Sequence, residues 1–555
     1  MIVEVIGEVV MPRLLAIVIN NANAGTLTNG ISLEVMAAMI GTAILMLLGG
    51  VLGARFGAKA SVNYAADLRA DLYAKVQKFS FANIDKFSTG SLVTRLTNDV
   101  TQIQNFVNML LRMALRAPGM LIAALIMALA IRPSLMTVFA VSIPLMLVCI
   151  VFIIRTGAPR FTAMQDRVDE LNSTVQENMT NVRVVKSFVR EEYENAKFRR
   201  VSKNLKDTSL SAVYVMIFME PVMTLFMNAT IIAVILIGGP IVISGDMPVG
   251  DLSAFITYVG QILISLVMVS FLLMFSSRAL ASGRRIKEVL NETVDLSDAN
   301  AAEPDLTVQK GEIEFRDVSF RYYKNSVEPV LDNIRLKIPA GSTVGFIGST
   351  GCGKTTLVSL IPRLYDCDAG SVLVDGVDVK DYSLKNLRDG VGMVLQNNTL
   401  FSGSIEENLL WGDHAASIDD IRVAAGYAQA DRFVTAFPQE YQTPIEQGGT
   451  NVSGGQKQRL CIARALLKKP HILILDDSTS AVDTATEAEI RRAFRTELQS
   501  STKLIIAQRI GSVQDADMIV VMNEGRITGV GTHDELLKTN TEYREIYESQ
   551  TGKEA

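Results

Sequence analysis

Histidine, cysteine and tryptophan are scarce in this chain of 555 residues, which has three His, four Cys and one Trp. The cysteines, Cys149, Cys352, Cys367 and Cys461, show neither metal-ligand spacing nor a pairing pattern. This excludes a zinc module and a disulfide framework, and it fits a reducing cytosol with one thiol inside a membrane. The net charge of -5 is small, so no nucleic-acid partner is indicated. A cleavable signal pattern and low-complexity tracts are also missing from the sequence.

Long uncharged runs are abundant by contrast, and all of them lie in the first 290 or so residues. Four runs are long enough to cross a hydrocarbon core of about 30 Å as helices: Val35–Ala54, Pro133–Ile154, Pro221–Gly245 and Leu252–Ser277. Ala117–Ile131 is a shorter candidate, and Ile2–Ile19 is a weaker one that carries Glu4, Glu8 and Arg13. Because several runs exceed eighteen residues, six membrane spans are favoured over the buried helices of a large soluble protein.

The basic residues of the connections predict the orientation of these spans. Arg55–Arg95 and Arg155–Lys206 are rich in Lys and Arg, whereas Asn20–Leu33 and Gly238–Gly250 contain none. The two basic connections, and with them the C-terminal part, are therefore predicted to face the cytoplasm in a multi-pass protein of the cytoplasmic membrane. Both are far longer than ordinary loops, which indicates helices that extend out of the membrane.

Two short interruptions divide the long connections, at Asp85–Gly90 and at Asn178–Arg183. As elbows at the far ends of helical hairpins they are suited to docking on a cytoplasmic domain, although plain turns would have the same composition. A methionine pattern is equally open. Met216, Met219, Met223 and Met227 are predicted to share a helical face with Glu220. That face suits an apolar ligand or simple helix packing with Glu220 near the cytoplasmic water.

The composition changes after the last apolar run, and it predicts three parts: a transmembrane domain over 1–290, a linker over 291–310 and a soluble α/β domain over 311–555. Gly311–Tyr322 alternates apolar and polar residues and is predicted to be an edge strand. Tyr322 ends this strand, where an exposed ring is placed either to stack on a purine or to be an ordinary surface tyrosine.

One loop in this domain has a phosphate-binding pattern with every fixed position filled. It runs between a predicted buried strand and a predicted helix, and its residues are Gly348, Ser349, Thr350, Gly351, Cys352, Gly353, Lys354 and Thr355, followed by Thr356. Glycines let backbone N–H groups close around phosphate oxygens. Lys354 is predicted to reach the β- and γ-phosphates of a nucleotide, and Thr355 to hold Mg²⁺.

Two further segments support nucleotide binding. In Leu467–Asp477, four consecutive aliphatic residues precede two acids, which predicts a buried parallel strand that ends at Asp476, a ligand in the Mg²⁺ shell. Between the two motifs, Ser453, Gly454, Gly455 and Gln456 are predicted to open a helix and to offer N–H donors to phosphate.

Together these residues resemble the ATP-binding cassette (ABC) family, and the whole chain resembles an ABC exporter half-transporter. The resemblance implies six transmembrane helices with long cytoplasmic hairpins, an all-α domain, fused to one α/β P-loop ATPase domain that uses ATP and Mg²⁺. It implies that Tyr322 stacks on adenine and that Gln396 touches Mg²⁺ and senses the transmembrane domain. It also implies coupling helices near 85–90 and 176–183.

Two more loops match the family pattern. Glu446–Gly448 resembles an exporter-specific loop, and Ser480–Asp483, with Asp483 at its end, resembles the loop that joins two cassettes across a dimer. Family members also have a cytoplasmic segment before a fuller first span. The first span of this chain is therefore expected to be shortened.

Two catalytic positions depart from the family pattern. Asp477 stands where the family has a glutamate general base, and its carboxylate is set back by about 1 Å, which costs on the order of 100-fold in rate. Gln508 stands where the family has a histidine that contacts the γ-phosphate, and a carboxamide carries neither a proton nor a positive charge there. The cassette is therefore predicted to bind Mg·ATP well and to hydrolyse it slowly.

The sequence thus predicts an ATP-driven exporter of amphipathic small molecules, drugs or lipids, that works as half of a heterodimer. Its partner would be a second half-transporter chain with the missing Glu and His, and Ser453–Gln456 would complete that chain's ATP site. The other expected partners are membrane lipid and a hydrophobic substrate, which the sequence does not identify. A homodimeric exporter with slow hydrolysis and an ATP-gated regulatory membrane protein are the alternatives.

Overall fold

The computed structural model describes residues 1–298, 301–324 and 326–552, without the side chains of 271, 273–275 and 277. The chain forms two compact units. The helical unit contains Met1–Val76 and Gly90–Asn291, and the α/β unit contains Gln77–Thr89 and Glu292–Ala555. The first elbow thus belongs to the α/β unit, although the sequence places it within the transmembrane domain over 1–290.

Eleven α-helices and two irregular turns precede the first strand in the described part of the chain. The α-helices are α1 (Ile2–Asn23), α2 (Asn29–Gln77), α3 (Phe81–Phe87), α4 (Thr89–Thr94), α5 (Val100–Met113), α6 (Arg116–Ile131), α7 (Met136–Thr180), α8 (Val182–Ser187), α9 (Glu191–Ile217), α10 (Met219–Ile243) and α11 (Val249–Asn291). A π-helical turn, Arg95–Asp99, precedes α5, and a 3-10 turn, Pro133–Leu135, precedes α7. Helices α2, α7 and α11 have 49, 45 and 43 residues. At about 1.5 Å per residue each is roughly twice as long as a hydrocarbon core is thick, so each extends beyond the membrane.

Five helical segments in the described chain are long and apolar enough to span a membrane: Asn29–Gln77, Thr89–Ile131, Pro133–Thr180, Glu191–Ile243 and Val249–Ser270. Helix α1 is not among them, but it packs against α6 and α11 as a sixth helix of the bundle. Its charges meet opposite charges there. Arg116 pairs with Glu4 at 2.9 Å and also with Glu8, and Arg13 pairs with Asp251 at 2.8 Å.

Both elbows differ in position from the sequence prediction. The first is α3, whose N-terminus is capped by reciprocal hydrogen bonds between Ser80 and Asn83, so it starts before Asp85. At the second, α7 continues to Thr180 and the short helix is α8. The Asn178 side chain does not break α7, because its Nδ2 donates to Glu194 Oε2 at 3.1 Å instead of to the local backbone.

The methionine pattern is also divided. Phe218 lies in a turn between α9 and α10, so Met216 is on one helix and Met219, Met223 and Met227 are on the next. Met223 and Met227 pack against the core of the helical unit, whereas Glu220 is exposed. The predicted single continuous face is therefore interrupted at Phe218.

The α/β unit contains twelve strands and nine further α-helices in its described part. They are β1 (Ile313–Phe320), β2 (Leu331–Ile338), β3 (Thr343–Gly348), α12 (Lys354–Ser359), β4 (Ala369–Val374), β5 (Val377–Asp378), α13 (Leu384–Asp389), β6 (Val391–Val394), β7 (Gly403–Ser404), α14 (Ile405–Leu409), α15 (Ile418–Tyr427), α16 (Asp431–Val434), β8 (Pro444–Ile445), α17 (Gly454–Leu467), β9 (Ile472–Asp476), α18 (Thr484–Glu497), β10 (Thr502–Ile506), β11 (Met518–Asn523), β12 (Arg526–Gly531), α19 (His533–Thr539) and α20 (Thr541–Thr551).

A six-stranded sheet forms the centre of this unit, in the order β12-β11-β3-β10-β9-β6. Its strands are parallel except for β12. An antiparallel sheet has the order β2-β1-β4-β5, so β1 lies between two strands and the prediction of an edge strand over Gly311–Tyr322 is wrong. Alternation of apolar and polar residues reports one buried face, and an inner strand of an antiparallel sheet shows it as well as an edge strand does.

The segment between α11 and β1 has no helix or strand among its described residues. Its second half packs onto the α/β unit, because Val308 is buried in the core and Leu306 packs against it. The Glu303 N–H donates to the carbonyl oxygen of Asp381 at 2.9 Å.

Candidate nucleotide site

The carboxyl ends of four adjacent parallel strands bring most of the predicted site residues together. In the order β3-β10-β9-β6, these strands are followed by the phosphate loop, by Gln508, by Asp477 directly after Asp476, and by Gln396. The register fixes their level, because Ile506 pairs with Asp476 and Val394 pairs with Leu475. Ligands of open α/β sheets bind outside such strand ends.

The phosphate loop needs glycine at three positions for backbone reasons. Gly348, Gly351 and Gly353 have φ angles of 150°, 87° and 99°. A Cβ at Gly348 would also lie 2.0 Å from the carbonyl oxygen of Met522, so no other residue fits. Ser349, Thr350 and Cys352 complete the loop, and α12 begins at Lys354, two residues before the helix start that the sequence predicts at Thr356.

Lys354, Thr355 and Asp476 meet at the base of this loop. The Lys354 ammonium donates to the carbonyl oxygens of Gly348 and Ser349, both at 2.8 Å. The Thr355 hydroxyl donates to Asp476 Oδ1 at 2.9 Å. Asp476 is 1% exposed, and its Oδ2 is a buried oxygen without a hydrogen-bond partner in the described chain.

Burial raises the pKa of the Asp476 carboxyl, and the neighbouring Asp477 charge adds to this effect. A buried carboxylate with one free oxygen beside a threonine hydroxyl is a donor set that suits Mg²⁺. The residues present therefore fit a magnesium–nucleotide complex.

Asp477 and Gln508, the two positions that depart from the family pattern, contact each other. Gln508 Nε2 donates to Asp477 Oδ2 at 3.0 Å. Asp477 has a φ of 46°, a left-handed conformation that holds its side chain at the sheet edge directly after β9. Burial raises the pKa of this carboxyl, and the Gln508 hydrogen bond acts in the opposite direction.

Tyr322 lies two residues after β1, with 42% of its surface exposed, and its hydroxyl is 2.9 Å from the Thr356 hydroxyl. This hydrogen bond places the ring next to the first turn of α12. Gln396 is exposed two residues after β6. Both side chains are thus accessible at this end of the α/β unit, and Tyr322 lies directly beside α12.

Ser453, Gly454, Gly455 and Gln456 open α17, with Ser453 as its N-cap. Gln456 N donates to Ser453 Oγ at 3.3 Å, and Ser453 N donates to Gln456 Oε1 at 2.9 Å, which is a reciprocal capping box. In the part of the chain that the structure describes, these four residues make no side-chain hydrogen bond to the phosphate loop. The structure therefore does not join them to the site of their own chain.

Asp483 is likewise a helix cap, because its Oδ1 accepts from Thr486 N at 3.0 Å at the start of α18. That hydrogen bond lowers the pKa of the Asp483 carboxyl. The preceding loop packs against α17, because Gln458 bonds to the Ser480 hydroxyl and to the Ala481 N–H. We call Ser453–Gln456 the signature segment, and it forms one surface with the Ser480–Asp483 loop.

Sequence reasoning missed Tyr365. Its hydroxyl donates to Asp85 Oδ2 in α3 at 3.0 Å, and its ring packs edge-on against Tyr322 with 5.2 Å between centroids. Burial and the Asp85 carboxylate raise the pKa of this phenol. Nothing in the local sequence marks Tyr365, because its role depends on a residue 280 positions away.

Comparison with known protein families gives two matches. The family of the ABC transporter transmembrane region matches residues 1–267, and the ABC transporter family of the nucleotide-binding domain matches residues 331–480.

Relatives match over most of this chain. An uncharacterised ABC transporter ATP-binding protein of Bacillus subtilis (strain 168), YfiB, is 40% identical over 93% of this chain and 89% of that protein. A fatty acid ABC transporter ATP-binding/permease protein of Mycobacterium bovis is 34% identical over 86% of this chain and 75% of that protein. Among solved structures, a bacterial Atm1-family ABC exporter with ATP bound has a TM-score of 0.76 at 24% identity, over 100% of this chain and 97% of that one.

Proposed function

Because the chain belongs to the ABC transporter family, as a transmembrane region fused to a transport ATPase domain, we propose that it is one half of a heterodimeric exporter with a slowly hydrolysing ATP site. One contrast at the sheet edge supports this. Lys354, Thr355 and Asp476 have the arrangement that Mg·ATP needs. Asp477 and Gln508 replace the catalytic pair and bond to each other.

ATP binding rests on groups that the site already positions. The Lys354 ammonium exchanges loop carbonyl oxygens for phosphate oxygens, and Asp476 Oδ2, Thr355 and Gln396 are the residues that would hold Mg²⁺. When bound, the cation neutralises charge on the β- and γ-phosphates. Tyr322 offers its exposed ring to adenine, and the glycine loop offers N–H groups to the phosphates.

Hydrolysis needs a base that reaches the attacking water. The Asp477 carboxylate is one methylene short of glutamate, and one of its oxygens already accepts from Gln508. Gln508 donates a single hydrogen bond and supplies no proton and no positive charge. Together these features favour retention of ATP over its cleavage.

The signature segment serves the other site. In the proposed pair, Ser453–Gln456 on the α17 N-terminus faces ATP held by the partner chain, which carries the catalytic Glu and His. ATP binding then closes the two cassettes and turns the membrane helices outward, and hydrolysis at the partner's site resets them. This chain lies in the cytoplasmic membrane. Its α/β unit keeps its ATP bound and so holds the two cassettes together between cycles.

An amphipathic, lipid-like molecule is the substrate class that we propose. The name of the Mycobacterium bovis relative specifies fatty acids. The long apolar helices of the bundle suit such molecules. Export is the direction in which ATP-driven closure of this fold would move them.

Isolation of the tagged full-length chain from its native membrane tests the heterodimer. We expect a second chain of similar size in equal amount, with Glu and His at the positions of Asp477 and Gln508. ATP-dependent uptake of a fluorescent fatty acid into inside-out vesicles should require both chains. A self-associated chain with full transport would contradict the proposal in favour of a homodimer. A two-chain complex without transport would contradict it in favour of a regulatory protein.

A further inference from the structure

The backbone that carries Gln508 is held by a side chain from the last described helix. Gln550, in α20, donates from Nε2 to the carbonyl oxygen of Gln508 at 2.7 Å. The same carboxamide accepts from Ile510 N at 2.8 Å through its Oε1. Both hydrogen-bonding groups of one amide are therefore used on the two peptide groups that flank Arg509. We call residues 508–510 the switch segment.

The switch segment makes its other backbone bonds forward along the chain, where the Arg509 carbonyl oxygen accepts from Ser512 N and the Ile510 carbonyl oxygen accepts from the N–H groups of residues 513 and 514. It follows β10, where the last backbone bond to the sheet is Ala507 N to the carbonyl oxygen of Phe346 at 3.2 Å. Arg509 is extended, with φ of -105° and ψ of 130°. An extended residue at a sheet end offers its flanking C=O and N–H to a neighbouring strand. Here the Gln550 side chain takes the place of that strand.

Helix α20 is itself firmly anchored, so Gln550 works from a fixed position. Asn540 caps the helix by accepting from Tyr543 N at 2.8 Å. Tyr543 is fully buried, and its hydroxyl lies 2.7 Å from His533 Nδ1. Ile546 and Tyr547, one turn before Gln550, pack against the core of the unit. Movement of the switch segment therefore requires that the Gln550 amide breaks its two hydrogen bonds to the segment.

Two successive amides then connect α20 to the catalytic edge. Gln550 fixes the Gln508 backbone, and the Gln508 side chain reaches Asp477 Oδ2 at 3.0 Å. We propose that Gln550 is a positioning residue that orients Gln508 toward the γ-phosphate. This orientation allows the site to discriminate between ATP and ADP in binding. The inference rests on the proposed function, in which Gln508 faces the γ-phosphate. It adds a residue that motif comparison does not mark.

Photolabelling of the full-length chain, together with any chain that co-purifies with it, tests this inference. The probe is 8-azido-ATP with Mg²⁺, competed by ATP or by ADP, and the label on this chain is read on a gel. Gln550→Met keeps the size of the side chain and removes both hydrogen bonds. We expect ATP to compete about 3- to 10-fold more weakly, the effect of one or two hydrogen bonds, and ADP to compete as before.

The matched control is Ser549→Ala, an exposed neighbour on the same helix, which should change neither competitor. Gln550→Glu keeps the acceptor for Ile510 N–H and loses the donor, so it should also weaken ATP selectively. Equal weakening of ATP and ADP with a lower melting temperature would overturn the inference in favour of a structural role. No change in either competitor would overturn it too. Turnover does not enter this readout, so the inference and the proposed slow site can fail separately.

Discussion

Two halves of one sheet edge differ in what their side chains are bonded to. In the binding half, Lys354 bonds only to the phosphate loop itself, and Asp476 keeps a buried oxygen without a partner in the described chain. In the catalytic half, the side chains of Asp477 and Gln508 are hydrogen-bonded to each other. The two halves share β9, and the strands that carry their other residues, β3 and β10, are neighbours in the same sheet. The proposed function thus separates binding from hydrolysis by two side chains, without a change in the backbone that supports them.

The largest expected effect is the loss of ATP binding when the binding half is disrupted. Lys354→Ala removes the cation that faces the phosphates and should weaken ATP binding by about 100-fold or more. Photolabelling of the chain with 8-azido-ATP measures it. Asp477→Asn is the matched control from the catalytic half and should keep binding within about 3-fold. If both variants lost binding equally, the two halves would not be separable.

The second effect is a gain in ATP hydrolysis when the family's residues are restored in the catalytic half. Asp477→Glu with Gln508→His should raise ATP hydrolysis at this site by about 10- to 100-fold, because the longer base reaches water and an imidazole faces the γ-phosphate. The measurement uses the complex with the partner's base inactivated. Because the two side chains touch, each single change should give far less than half of the gain in log rate. An unchanged rate in the double variant would contradict the assignment of the slow step.

A smaller effect distinguishes residues that act at the partner's ATP site from residues that act at the ATP site of this chain. Ser453→Ala should lower hydrolysis at the partner's site roughly 10-fold, the loss of one charge-assisted hydrogen bond, and leave labelling of this chain unchanged. Ser404→Ala is a matched control, because Ser404 and Glu407 form the same capping box on α14. Each change removes a cap worth about 0.5–2 kcal/mol. Equal loss of hydrolysis in both variants would assign Ser453 a purely structural role.

The parts of the fold with short-range signals were predictable. Four aliphatic residues before Asp476 indicated a buried strand, and the spacing of Gly348, Gly353 and Lys354 indicated the phosphate loop; β9, β3 and α12 are present there. The elbows were displaced by a few residues. From the local sequence, Asn178 is expected to end the helix. In the structure its side chain bonds to Glu194, and the helix continues through it.

Long-range pairing limited the rest. The alternation of β1 reports a buried face but not its neighbours, so its inner position was out of reach. The contact between Asp477 and Gln508 depends on the parallel pairing of β9 with β10. Gln550 lies in a polar helix with no motif, and its part in the site appears only when α20 packs beside the switch segment.

The paired charges of α1 constrain the order in which the protein is assembled in the bilayer. Placing a single charge at the centre of a membrane helix costs about 2.5–3.5 kcal/mol during insertion, and α1 carries Glu4, Glu8 and Arg13. The counter-charges are Arg116 and Asp251, which the ribosome makes roughly 100 and 240 residues later. Helix α1 is made before both of these partners and is therefore among the last helices to settle, after α11 has emerged.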